Sequence, residues 1–283
     1  MEYTTLRNGV KMPVLGYGVF QIPQEQTARC VLDALAVGYR SIDTAQAYLN
    51  EEGVGEAVSA CGIPRRELFL TTKIWISNGG YEKARASIER SLRKLRTDYV
   101  DLMLIHQPFN DYYGAYRAME EAYREGKIRA IGVGNFAADR FIDLSSFVEI
   151  PPMVDQLEVH VFQQQREMRE ILNKYGAQIT AWSPLAQGRN HIFSNELLTE
   201  IGGKYGKSAA QVNLRFLIQS GVVAIPKSVR RERMEENLDL FDFTLTEEEM
   251  ERIRTLDLGK SQFIDHSAPD VAEMFVKAAG MDC

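Results

Sequence analysis

The chain has 283 residues, of which 45% are apolar and 25% charged, with a net charge of −6. That composition belongs to a folded globular protein of enzyme size and argues against nucleic acid as a partner. No apolar run approaches the roughly 20 residues of a membrane span, no basic and apolar leader opens the chain, and Cys30, Cys61 and Cys283 are too scattered for a disulfide framework or a metal site. The expectation is a cytoplasmic protein, taken as a monomer, with no membrane contact and no metal.

Residues 3–13 predict a hairpin covering one end of the fold, because Asn8-Gly9 between Thr4-Thr5-Leu6 and Val10-Lys11-Met12 is the strongest signal of a two-residue hairpin turn. Residues 15–19 predict a first strand, with Gly16 and Gly18 permitting close backbone approach. From there strand and helix alternate. Helices are predicted at 24–36, 51–60, 81–95, 113–124, 140–146, 166–174, 195–201, 208–219, 231–238 and 246–256, the last opened by a capping box from Thr246 to Glu249. Strands are predicted up to Asp43 and at 68–73, 100–106, 128–134, 153–157, 178–183 and 222–226. Eight strands alternating with helix imply a parallel sheet, and this length favours an α/β fold of a single (β/α)8 TIM-barrel domain over residues 1–283. An open dinucleotide-binding sheet is disfavoured, because no G-x-G-x-x-G turn follows the first strand.

Several apolar runs stop on one polar side chain: Asp43, Lys73, His106, Asn135, Gln156, Trp182 with Ser183, and Lys227 with Ser228. Parallel strands carry all these ends to one face, where barrels build their active sites. Tyr48, five residues past Asp43, joins them. A lone lysine or histidine at a strand end is more often solvated than catalytic; one per strand on a common face is a different matter.

These stretches, in this order, resemble the aldo-keto reductase family over nearly the whole chain. The matching segments run from Gly38 to Asp43 and on through Tyr48, Asn50 and Glu51. They continue at Thr72-Lys73, Leu104-Ile105-His106, Gly132-Val133-Gly134-Asn135-Phe136, Trp182-Ser183-Pro184-Leu185 and Ile225-Pro226-Lys227-Ser228, with Arg233, Glu236 and Asn237 beyond. The short length is similar to bacterial members that reduce small dicarbonyls and sugar-derived ketones. The resemblance implies a catalytic tetrad of Asp43, Tyr48, Lys73 and His106. Physical chemistry is consistent with it: hydride reduction builds charge on the carbonyl oxygen, Tyr48 can supply a proton, Lys73 can lower the phenol pKa, Asp43 can hold Lys73, and His106 can orient the carbonyl.

The resemblance further implies NADPH. Trp182 offers a flat face for the nicotinamide, Asn135 and Gln156 are amides suited to its carboxamide, and Ser183, Leu185 and Ser228 fall in cofactor-contacting stretches. Lys227, Arg230, Arg231 and Arg233 form a basic cluster that suits a ribose 2′-phosphate, and Glu236 and Asn237 correspond to adenine contacts. Three positions depart from the family pattern: Gly134 for a serine, Asp155 for an asparagine, and Gln107 for a tryptophan. Phe20, Trp75 and Gln107 are expected to line the pocket for a small carbonyl substrate. The short loop after His106 and a modest tail after Leu256 imply an open, shallow pocket. Two other functions compete: a Schiff-base aldolase on Lys73, opposed by the neighbouring Asp43, and a non-catalytic barrel that binds NADPH or serves structurally, opposed by the complete tetrad.

Overall fold

Each short apolar run becomes a buried strand, and the amphipathic stretches between become the helices that cover it. The computed structural model describes residues 2–280. Strands β1 (Tyr3–Thr5) and β2 (Lys11–Pro13) form an antiparallel hairpin. Eight parallel strands follow, hydrogen-bonded in chain order: β3 (Tyr17–Gly18), β4 (Ser41–Asp43), β5 (Phe69–Ile74), β6 (Leu102–Ile105), β7 (Ile131–Gly134), β8 (Val154–Glu158), β9 (Gln178–Trp182) and β10 (Val223–Ala224). All residues of β5, β6, β7 and β8 are buried, as strands covered on both faces must be.

The sheet closes on itself. Leu15 bridges Ala224 in parallel, Gly16 N donates to the Ala224 carbonyl at 2.8 Å, and Gly18 N donates to the Pro226 carbonyl at 3.1 Å. The seam is tight: a Cβ on Gly18 would lie 3.1 Å from the Ile225 carbonyl oxygen, and one on Gly16 2.9 Å from Ser41 Oγ. The expected (β/α)8 barrel is therefore what the chain forms.

Around the barrel lie α1 (Gln24–Val37), α2 (Glu51–Ala60), α3 (Tyr81–Lys94), α4 (Tyr112–Arg124), α5 (Ala138–Phe147), α6 (Arg166–Tyr175), α7 (Glu196–Tyr205), α8 (Ala209–Gln219), α9 (Arg231–Leu238) and α10 (Glu247–Arg254). The capping box expected at Thr246 and Glu249 is present, and a second one, Ser208 with Gln211, opens α8. The hairpin plugs the end opposite the strand C-termini. Thr4 Oγ1 bonds Gln178 Oε1 at 3.0 Å at the start of β9, and Asn8 Nδ2 bonds the Arg129 carbonyl at 2.9 Å just before β7.

Two expectations need correction. Asn8-Gly9 does not make a two-residue turn: Gly9 alone has positive φ (+86°), Gly9 N bonds the Leu6 carbonyl and Leu6 N the Val10 carbonyl, so Arg7, Asn8 and Gly9 form a three-residue loop. The helix at 246–256 is not the last. The tail carries α11 (Pro269–Ala278), which packs Phe275 at the barrel mouth. Pro269 at its first position was a readable start signal. Its apolar face is short, and sequence alone does not say what it covers.

Candidate active site

The strand C-termini deliver the expected side chains to one cavity of about 790 Å³. Asp43 is the last residue of β4, Lys73 the last but one of β5, and His106 follows β6 directly. Lys73 is 1% exposed. Its Nζ donates to Asp43 Oδ1 at 2.5 Å, the Thr44 carbonyl at 2.9 Å and Tyr48 Oη at 3.3 Å, and lies 4.9 Å from the Tyr48 ring centroid. Asp43 Oδ2 is held in turn by Gln156 Nε2 at 2.8 Å. The His106 ring meets Tyr48 edge-on at 5.6 Å and Trp75 at 5.1 Å.

Burial sets the protonation states. It would lower the Lys73 pKa, but Asp43 and Tyr48 outweigh it and the ammonium is held above its ordinary range. The Tyr48 phenol is raised: burial is the largest cause, Lys73 opposes it and Asp43 adds to it. The expectation that Lys73 would produce a net lowering is thus corrected, because desolvation of the phenolate exceeds the ammonium's pull. His106 is pushed well below its usual value by burial, then by Lys73 and His266. It is neutral at pH 7, and its buried Nδ1 has no partner. An unpaired lone pair is cheaper than an unpaired buried N–H, so the ring proton belongs on Nε2.

The loop bearing Tyr48 is a single 3-10 turn, Gln46–Tyr48, ending at Leu49 with φ +56°. Gln46, which the sequence reading did not single out, holds it together with Asn50 and Glu51, which it did. Gln46 Oε1 accepts from Trp75 N and Asn78 Nδ2, both at 2.9 Å, while Gln46 Nε2 donates to Ser87 Oγ and Ser91 Oγ at 3.1 Å. Asn50, fully buried, donates to the carbonyls of Val19 and Ile22 and accepts from Thr44 Oγ1 at 2.8 Å. Glu51 accepts from Thr72 Oγ1 at 2.6 Å.

Asn135, Gln156, Trp182, Ser183 and Leu185 line the same cavity, and so do Lys227 and Arg233. Trp182 Nε1 donates to Asn135 Oδ1 at 2.8 Å and Asn135 Nδ2 to the His106 carbonyl at 3.2 Å, so the indole and the amide brace each other. Lys227 and Arg233 are exposed and have no carboxylate within ion-pair distance among the described residues. Arg231 differs: it pairs with Glu235 at 3.0 Å on the surface. Three expected cofactor residues lie outside the cavity wall. Ser228 shapes the turn into α9 by accepting from Arg230 N at 3.1 Å, Glu236 accepts from Ser208 Oγ at 2.5 Å, and Asn237 is buried. At Gly134 a Cβ would sit 3.2 Å from the His106 carbonyl oxygen, a tight fit for any larger residue.

Phe20, Trp75 and Gln107 line the cavity as expected, but so do Phe263, Ile264, His266, Met274 and Phe275 from the tail. The open, shallow pocket is corrected accordingly. Phe275 packs on Trp75 (6.1 Å) and Phe109 (5.0 Å), and Phe263 on Trp182 (5.5 Å). Buried Glu158, at the end of β8, anchors this segment: its carboxylate accepts from Gln262 N at 2.7 Å, from Ser261 Oγ, and from His160 Nε2 at 3.0 Å if that nitrogen carries the proton. Asn190 Nδ2 adds a bond to Gln262 Oε1 at 2.7 Å. No group of side chains among the described residues is arranged to hold a metal ion, and none of the helices described is long and apolar enough to cross a membrane.

The strand ends thus bring together a phenol hydrogen-bonded to a buried lysine–carboxylate pair, beside a neutral imidazole, at the C-terminal mouth of a closed barrel. The chain belongs to the aldo/keto reductase family, whose family model matches residues 14–258. It is 48% identical over 253 residues to the glyoxal reductase of Bacillus subtilis, covering 89% of this chain and 91% of that protein. It is 42% identical to the methylglyoxal reductase of Escherichia coli, covering 90% and 93%. Among solved structures, an aldo-keto reductase from a deep-sea metagenome library superposes with a TM-score of 0.91 at 41% identity, covering 94% and 98% of the two chains. The Bombyx mori aldo-keto reductase in complex with NADP does so at 0.87 and 32%, covering 92% and 94%. The chain is thus an oxidoreductase that reduces carbonyls.

Proposed function

We propose that the protein reduces small aldehydes and ketones, α-oxo aldehydes foremost, to alcohols with NADPH, using Tyr48 as the proton donor. The observation that carries this reading is Lys73 Nζ, 2.5 Å from Asp43 and 3.3 Å from Tyr48 Oη, buried under the phenol. The relatives named as glyoxal and methylglyoxal reductases support the substrate class. The NADP complex of a structural neighbour supports the cofactor. The residues here fit such a cofactor: two cations without carboxylate partners among the described residues, Lys227 and Arg233, line the cavity that holds the phenol. Lys227 and Arg233 would hold the 2′-phosphate, Trp182 the flat face of the nicotinamide, and Asn135 and Gln156 its carboxamide.

Bound NADPH supplies the hydride. Tyr48 Oη and His106 Nε2 donate hydrogen bonds to the carbonyl oxygen and orient it. As charge grows on that oxygen, the Tyr48 proton moves to it, because an alkoxide is a far stronger base than a phenolate. Lys73 stabilises the phenolate left behind, and Asp43 keeps Lys73 charged and aimed. The same ion pair disfavours a Schiff base, for which Lys73 would have to lose its proton. The test is purified protein with NADPH and methylglyoxal, followed by loss of the reduced-nicotinamide absorbance and by product analysis. One alcohol formed per NADPH oxidised is expected; no substrate-dependent oxidation with any small aldehyde would overturn the reading.

A further inference from the structure

Most polar side chains in the cavity wall near the phenol are already engaged. Lys73 is held by Asp43, Gln156 by Asp43, Asn135 by Trp182, and Gln187 by Ser183 at 3.0 Å. Gln107 is not. It directly follows His106, lines the cavity and is 8% exposed. Its Oε1 is buried without a partner, and its side-chain amide makes no hydrogen bond to a described residue. A nine-tenths buried amide is rarely left unpaired in a protein. His266, brought by the tail to the same cavity, is partly buried: its ring stacks on Phe275 at 5.8 Å and 12°, and its Nε2 has no partner. The wall around both is aromatic, from Phe20, Trp75 and Phe275.

We infer that Gln107, seconded by His266, recognises a second, uncharged oxygen on the substrate next to the reacting carbonyl: the other carbonyl of an α-oxo aldehyde or the hydroxyl of an α-hydroxy ketone. This rests on the reading of the protein as a carbonyl reductase. An amide can donate to a carbonyl or accept from a hydroxyl, and a neutral imidazole can do the same. A substrate lacking that oxygen expels water from the pocket and leaves Gln107 buried and unpaired, a mismatch that polar sites reject strongly. A carboxylate in that position would find Lys73 already neutralised by Asp43.

The test compares kcat/KM for methylglyoxal and propanal, which share a three-carbon chain, in wild type, Gln107→Leu and His266→Phe, each with NADPH. The difference in intrinsic reactivity cancels when the ratio in a variant is divided by the ratio in wild type. Gln107→Leu is expected to lower the methylglyoxal preference by about 10- to 100-fold, the effect of one buried hydrogen bond. His266→Phe, which keeps the stack on Phe275, is expected to lower it less. Gln107→Met, unbranched like glutamine, is read in the same way if the leucine variant does not fold. Equal losses for both substrates, or a ratio that stays at its wild-type value, would overturn the inference while leaving the reductase reading intact. Failure of wild type to oxidise NADPH with either substrate would overturn both.

Discussion

Tyr48 carries its proton at every pH near neutrality, because burial holds the phenol above its ordinary range despite Lys73. In the proposed mechanism reduction needs that proton and oxidation of an alcohol needs it gone. The rate of alcohol oxidation with NADP+ should therefore climb with pH throughout the range below the phenol's raised pKa, while reduction holds level across neutrality. Steady-state profiles in both directions check this; an oxidation rate flat from pH 7 to 10 would mean that another group titrates. Arg233, in the cavity wall, has no carboxylate within ion-pair distance among the described residues. Charge-assisted hydrogen bonds contribute roughly 1.5–3 kcal/mol each. Arg233→Ala should thus weaken NADPH by about 10- to 100-fold and NADH by less than about threefold, measured as dissociation constants at one ionic strength; equal losses would make Arg233 structural. The residues legible from sequence were those that end an apolar run, such as Asp43, Lys73 and His106. Gln46 was not legible, although it lies in the same stretch, because its partners Ser87 and Ser91 are 41 and 45 positions away and only the fold brings them together.

Strand β8 shows what alternation decides. Gln156 points into the barrel and holds Asp43, so its neighbour Asp155 points outward into the helix layer, fully buried, with neither carboxylate oxygen paired to another side chain. Burial raises the Asp155 pKa well above the ordinary carboxylate value, and the Phe136 backbone only partly opposes it. A folded-state pKa above the unfolded one gives stability that is present below the unfolded pKa, near ~4, and lost as pH rises toward the folded one. The loss approaches about 1.4 kcal/mol per pH unit in that window. Asp155→Asn should therefore stabilise the protein progressively more from pH 5 to pH 7, as read by urea unfolding; a pH-independent difference would contradict this. The departure at position 155 was visible in the sequence, but not its consequence, since no pattern along one strand reports what lies above it. Helix α11 escaped for a related reason: only Phe275 of its apolar residues is fully covered, and what covers it is Trp75 and Phe109, far away in the chain.

For the whole molecule, barrel closure was legible because eight alternating units and two glycines at the seam leave few other topologies. The roof over the site was not. The tail reaches the cavity because buried Glu158 accepts the Gln262 N–H and the Ser261 hydroxyl. Glu158→Ala should cost about 2–3 kcal/mol, speed proteolytic cleavage within segment 259–268 and raise KM for the carbonyl substrate. Limited proteolysis with mass analysis reads the cleavage, and an unchanged cleavage rate would mean that the aromatic contacts alone hold the tail.

The central claim is that Tyr48, over the Lys73–Asp43 pair, gives the proton in NADPH-dependent carbonyl reduction. Its most direct test is Tyr48→Phe, with NADPH binding followed by quenching of tryptophan fluorescence and turnover of methylglyoxal measured on the same preparation. General acid catalysis contributes typically 10²–10⁴-fold, so the account predicts turnover at least about 100-fold below wild type with NADPH affinity nearly intact. A variant that binds NADPH and retains more than about a tenth of the wild-type rate would contradict it.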